Sequence, residues 1–146
     1  MARHFRIEEA ERVLPQVEGL LREAVALKQH YTEAETQWRE SSERIRMLGG
    51  AVVDRAKLLA QRGRRDALAS RLHEIVSSIE SHGCLIKDLD VGLLDFPTWF
   101  RDREVMLCWR LGESGIAFWH EAQAGYAGRR PIDADFLRHH RGDHPS

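Results

Sequence analysis

The sequence predicts an α+β protein: a long antiparallel helical hairpin, coiled-coil-like, carrying a small antiparallel β-sheet head. Three observations predict it. Apolar residues recur at alternating spacings of three and four through the first 45 residues. A Gly49-Gly50 pair then breaks the helical period. From Gly83 the period turns from helical to alternating, and Trp99, Trp109, Trp119, Cys84 and Cys108 all follow that switch. At 146 residues one domain is expected, divided into a hairpin over 5–82, a head over 83–132 and a tail over 133–146.

In the first helix, Ile7, Ala10, Leu14, Val17, Leu21, Ala24, Lys28, Tyr31, Glu35, Trp38, Ser42 and Ile45 form a heptad seam. Its polar members weaken the contact but fix register. Pro15 lies inside the seam, so the helix either bends there or restarts with Pro15 near its first position. Val52, Ala56, Leu59, Leu68, Leu72, Ile75, Val76 and Ile79 mark a second helix that ends at His82-Gly83, with a soft middle at Gly63. At ~1.5 Å per residue the helices run roughly 60 and 45 Å. The first therefore overhangs the second, and residues 5–16 are expected to lie against the head.

In the head, Cys84–Asp88, Leu93–Phe96, Glu104–Leu111 and Ile116–Glu121 read as strands. Asp90-Val91-Gly92 and Gly112-Glu113-Ser114-Gly115 read as turns, and Pro97 marks an edge or bulge. Pairing Gly112 with Gly115 sets Leu111 opposite Ile116, Trp109 opposite Phe118 and Leu107 opposite His120. One face then holds Leu107, Trp109, Leu111, Ile116, Phe118 and His120, and should pack on the helices. Met106, Cys108, Arg110, Ala117, Trp119 and Glu121 take the other face. Gly125–Pro131 reads as a loop, Pro131–His140 as one short helix, and the final RHHRGDHPS as disordered.

Composition excludes some classes. Charged residues make up 31% of the chain and no apolar run approaches the ~18 residues that span a bilayer, so no membrane partner is expected. No secretory signal is visible, which places the chain in the cytoplasm and leaves Cys84 and Cys108 unbridged. Net charge is −1, yet residues 39–71 carry nine basic side chains against Glu40, Glu43, Asp54 and Asp66. Such a basic end suits nucleic acid, though a solvated helix surface with Arg62 and Asp66 paired accounts for it more simply.

The head resembles an uncharacterised bacterial family, the domain of unknown function numbered 2203. Glu9-Ala10, Leu14-Pro15, Gly83-Cys84, Lys87-Asp88, Gly92-Leu93 and Asp95-Phe96 carry the likeness. Cys108-Trp109, Gly112-Glu113, Trp119-His120, Gly125, Gly128-Arg129 and Pro131-Ile132 continue it. One departure is Arg6, where a Ser or Thr would cap the first helix. The resemblance implies this architecture and no activity.

The chemistry-bearing residues cluster in the head. Asp88 and Asp95 flank the Val91-Gly92 turn, and in one register their carboxylates face each other as an acid/base pair or hard-metal site. Otherwise Asp88 serves the turn and Asp95 pairs with Lys87 or an arginine. His120, with Glu113 or Asp95 as orienting carboxylate, is a candidate general base or a buried structural histidine. Cys84, Cys108 and His120 are a possible metal set, weakened because the register above separates Cys108 from His120. The Gly125–Arg130 loop could receive an anion, but Arg129 paired with Glu113 would simply pin it. His139, His140 and His144 form a tail cluster with no expected role.

Three functions follow. The first is a non-catalytic scaffold, dimerised through the stalk, that recognises a protein on its head. The second is a small enzyme or ligand-binding protein using Lys87, Asp88, Asp95, Trp109, Glu113, Trp119, His120 and Arg129, with Asp88, Asp95 and His120 as catalytic candidates. The third is a metal protein built on His120 with cysteines or carboxylates. The sequence names no cofactor.

Overall fold

The computed structural model describes residues 3–48 and 54–143. The Gly49-Gly50 break and Val52 lie outside the described residues, as does His144. Helices α1 (Ile7–Met47) and α2 (Arg55–Glu80) pack together as a long pair. Strands β1 (Leu85–Asp88), β2 (Leu93–Phe100), β3 (Arg103–Arg110), β4 (Phe118–Glu121) and β5 (Arg130–Pro131) form an antiparallel sheet in that order. A short helix α3 (Ala134–His139) leads into β6 (His140–Arg141), which pairs with β2. No helix among the described residues is long and apolar enough to cross a membrane.

The α+β reading and the switch at Gly83 hold. α1 runs unbroken through Pro15, so no second helix starts there. Its seam divides in two. Ile7, Ala10, Leu14, Val17, Leu21 and Ala24 are buried in the core that α1 shares with the sheet, as is Val13. From Lys28 onward the seam residues are only half-buried, and Ala34 is the last buried residue of α1. α2 buries only Ile75 and Ile79, both near its head end. Arg6 caps α1 without accepting a bond: the Glu9 carboxylate takes the Arg6 N–H at 3.1 Å, and His140 Nε2 takes that of Ile7 at 3.4 Å.

The N-terminal segment does lie on the head. Phe5 donates its N–H to the Pro97 carbonyl at 2.7 Å. Both backbone positions of Pro97 therefore face away from β3, in the gap between β1 and β6 along the edge of β2. Its missing N–H costs no ladder bond there. Hence β2 runs past the expected end at Phe96, in continuous register with β3 to Phe100 and with no bulge. The two-residue turn that follows puts Arg101 and Asp102 at φ 51° and 62°. Ion pairs from Arg101 to Asp135 and from Arg141 to Asp102 hold it against the C-terminal segment.

Through Asp143, that segment corrects the expectation of a disordered end. Phe136 is fully buried and stacks on Phe100 and Trp119 with ring centroids 4.8 and 5.1 Å apart. Residues 140–143 then close over the N-terminus, where Asp143 donates its N–H to the His4 carbonyl at 3.0 Å. Gly142 permits this approach, since a Cβ there would sit 2.7 Å from the Arg6 nitrogen. Gly142→Ala is accordingly expected to destabilise the protein by about 1–3 kcal/mol and to speed amide exchange at Phe5 and Asp143. Chemical denaturation and hydrogen exchange would measure both.

Candidate functional site: a buried Asp–Cys–His cluster

The register between β3 and β4 decides the site. The Cα partners are Val105–Glu121, Met106–His120, Leu107–Trp119 and Cys108–Phe118. This lies one residue away from the expected Leu107–His120 and Trp109–Phe118 pairing. The register is centred on Glu113, not between Glu113 and Ser114, and the connection is a loop over 111–117 instead of a tight turn. Glu113 donates its N–H to the Arg110 carbonyl at 3.0 Å and accepts the Trp109 indole N–H on its own carbonyl at 3.1 Å. Ile116 folds into the core beneath the loop.

A one-residue slip exchanges the faces of a whole strand. Trp119, expected on the outer face, therefore packs in the core with Phe100 and Phe136. Phe118 and His120 move to the face that carries Cys108, whose Cα partner on β2 is Asp95. There His120 Nε2 stands 2.9 Å from Asp95 Oδ1. Nδ1 lies 2.6 Å from the Glu121 backbone carbonyl, an acceptor, and so donates to it. One donor atom each from Asp95, Cys108 and His120 lies within 4.8 Å of the other two. The three residues are 3%, 1% and 0% exposed. Burial, and after it the Asp95 carboxylate, pushes the Cys108 thiol up to about 11.

Above the cluster, Arg129 Nη2 donates to both Glu113 carboxylate oxygens at 2.8 Å. Its guanidinium lies 4.0 Å from the Phe118 ring centre and 4.7 Å from that of Tyr126. Burial opposes the Arg129 charge, but Glu113 outweighs it and holds the guanidinium above its ordinary pKa. Arg129 Nε is buried without a partner. The loop that presents Arg129 needs glycine at 128, where a Cβ would meet that of Ala124 at 2.6 Å. Arg129→Gln is expected to cost about 1–2 kcal/mol, because Glu113 is partly solvated, and to raise exchange at Tyr126 and Glu113.

The structure thus unites Asp95, Cys108 and His120 beneath Glu113 and Arg129. It does not bring in the other candidates. Asp88 turns its carboxylate to the Asp90 N–H at 2.9 Å, serving the turn, and its Cα partner is Leu93. Lys87 is exposed at the irregularity between Ile86 and Asp88. Trp109 is fully buried and Trp119 nearly so, leaving neither free to stack on a ligand. Cys84 sits apart, its Sγ 3.5 Å from the Ile79 carbonyl and its thiol raised to about 11 by burial.

Clefts open elsewhere: at the stalk end around Ile45 and Gln61, beside Gly83 and Pro97, and on the stalk flank at Tyr31 and Leu72. Sequence reasoning passed over His4, which stacks on Trp99 at 4.1 Å and meets Glu104 at 2.8 Å. It lacked a signal beyond its place next to Phe5. It also passed over Tyr126, which the Gly125–Arg130 loop sets under Arg129.

The family described as Uncharacterized conserved protein (DUF2203) matches residues 3–132, and the chain belongs to it. No curated protein and no solved structure matches.

Proposed function

We propose that this protein is a non-catalytic interaction module, joined into a homodimer through its stalk and presenting the sheet head as a recognition surface. The carrying observation is the thinness of the outer stalk. Among the described residues, α1 buries nothing after Ala34 and α2 nothing before Ile75. Tyr31, Ala69, Leu72, His73 and Val76 meanwhile line an open groove on the stalk flank. A two-helix layer covers one stripe of each helix, and a second pair would complete a four-helix arrangement.

Charge favours a second copy lying head-to-end. Residues 7–35 carry Glu8, Glu9, Glu11, Glu18, Glu23, Glu33 and Glu35 against Arg12, Arg22 and Lys28. The outer half, 39–71, is basic. Antiparallel stalks set each basic half beside an acidic one, so the basic end serves the dimer instead of nucleic acid. The same proposal places the protein in a bacterial cytoplasm, where its two buried thiols stay reduced.

Light scattering at micromolar concentration is expected to give twice the chain mass. Leu72→Glu with Val76→Glu should return a monomer with an unchanged head, and added salt should weaken the native dimer. A native protein that scatters as a monomer would overturn the reading. The ligand-pocket alternative has less support, since its central residues are sealed in this conformation.

A further inference from the structure

We infer that Asp95, Cys108 and His120 form a binding site for a transition-metal dication of the zinc type. This stands on the head alone and is independent of dimerisation. One carboxylate, one thiol and one imidazole suit a borderline-soft ion better than calcium or magnesium, which take oxygen ligands. Their donor atoms converge within 4.8 Å from adjacent strands.

The histidine is held as a metal ligand is usually held, with its second nitrogen donating to a backbone carbonyl. With Nδ1 so committed, Nε2 faces Asp95 Oδ1 at 2.9 Å, two lone-pair atoms that approach only with a positive particle between them. In the metal-free protein that particle is a proton. A dication takes its place together with the proton of Cys108, and both protons pass to solvent, with no change of oxidation state.

The charges also balance. Asp95, Glu113 and a Cys108 thiolate carry three negative charges against Arg129, and a dication brings the group to neutrality. Arg129 does not compete for Asp95, since Glu113 holds it through both oxygens. Three protein donors leave one of four tetrahedral positions, which in a site this buried has room for an enclosed water and not for an added ligand.

Cobalt(II) titration of chelator-treated native protein tests the site. Equimolar cobalt should produce a thiolate-to-cobalt charge-transfer band in the near ultraviolet. Cys84→Ser should keep that band and Cys108→Ser should lose it. Zinc should raise the melting temperature of the native protein, and Asp95→Asn should bind it at least about tenfold more weakly. No band in the native protein, or one lost with Cys84→Ser, would overturn the inference. If Cys108→Ser fails to fold by circular dichroism, the native and Cys84→Ser spectra still decide, because only a thiolate gives the band.

Discussion

His120→Leu is expected to destabilise the protein by about 3–5 kcal/mol, because it strands the Asp95 carboxylate in a site only 3% exposed. Replacing both partners, as Asp95→Val with His120→Leu, should recover most of that loss. The pair then disappears together and apolar groups of similar size fill its place. Urea denaturation of the two single variants and the double variant would give the coupling between them. A double variant whose loss equals the sum of the two single losses would mean that neither side chain depends on the other. Cys108 shares the site, so its substitution should add non-additively to either single change.

Trp109→Ala should have an effect of similar size, about 3–5 kcal/mol, a large fraction of the about 5–15 kcal/mol margin of an ordinary domain. Trp109 is fully buried at the centre of the core, beside its Cα partner Leu94. It also ties the β3–β4 loop by donating its indole N–H to the Glu113 carbonyl. The loss is thus two-fold: a large cavity, and release of the residue on which the strand register is centred. Trp109→Phe keeps most of the volume and should cost much less. The difference between the two variants separates packing from tethering, with the melting temperature and exchange at Glu113 as readouts.

Much of this architecture was legible because local chemistry and tertiary packing agree. Glycine at 83, with φ 99°, ends the helical hairpin, and alternation after it marks strands. The length mismatch between α1 and α2 placed the N-terminus on the head. The Arg129–Glu113 pair followed from a loop rich in glycine that offers the Arg129 guanidinium to a facing carboxylate.

The register of β3 and β4 was not legible. Gly112-Glu113-Ser114-Gly115 suits an even or an odd connection, and Met106 and Cys108 are as apolar as Leu107 and Trp109. A strand buried on both faces does not select its own orientation. That one residue separates His120 on Leu107 from His120 on Asp95 and Cys108. The C-terminal segment was missed for a different reason. Its docking depends on Phe136 entering a pocket made by Phe100 and Trp119, residues distant in sequence. Local propensity carries no trace of such a contact.

Which face of the sheet His120 occupies decides whether Asp95, Cys108 and His120 meet at all. Proton NMR of the isotope-labelled native protein reads this directly, without altering the site. Nuclear Overhauser contacts are predicted between the His120 ring and the Cys108 β-protons, with backbone contacts linking Met106 to His120. Backbone contacts linking Leu107 to His120, with the ring near core residues and none to Cys108, would contradict it.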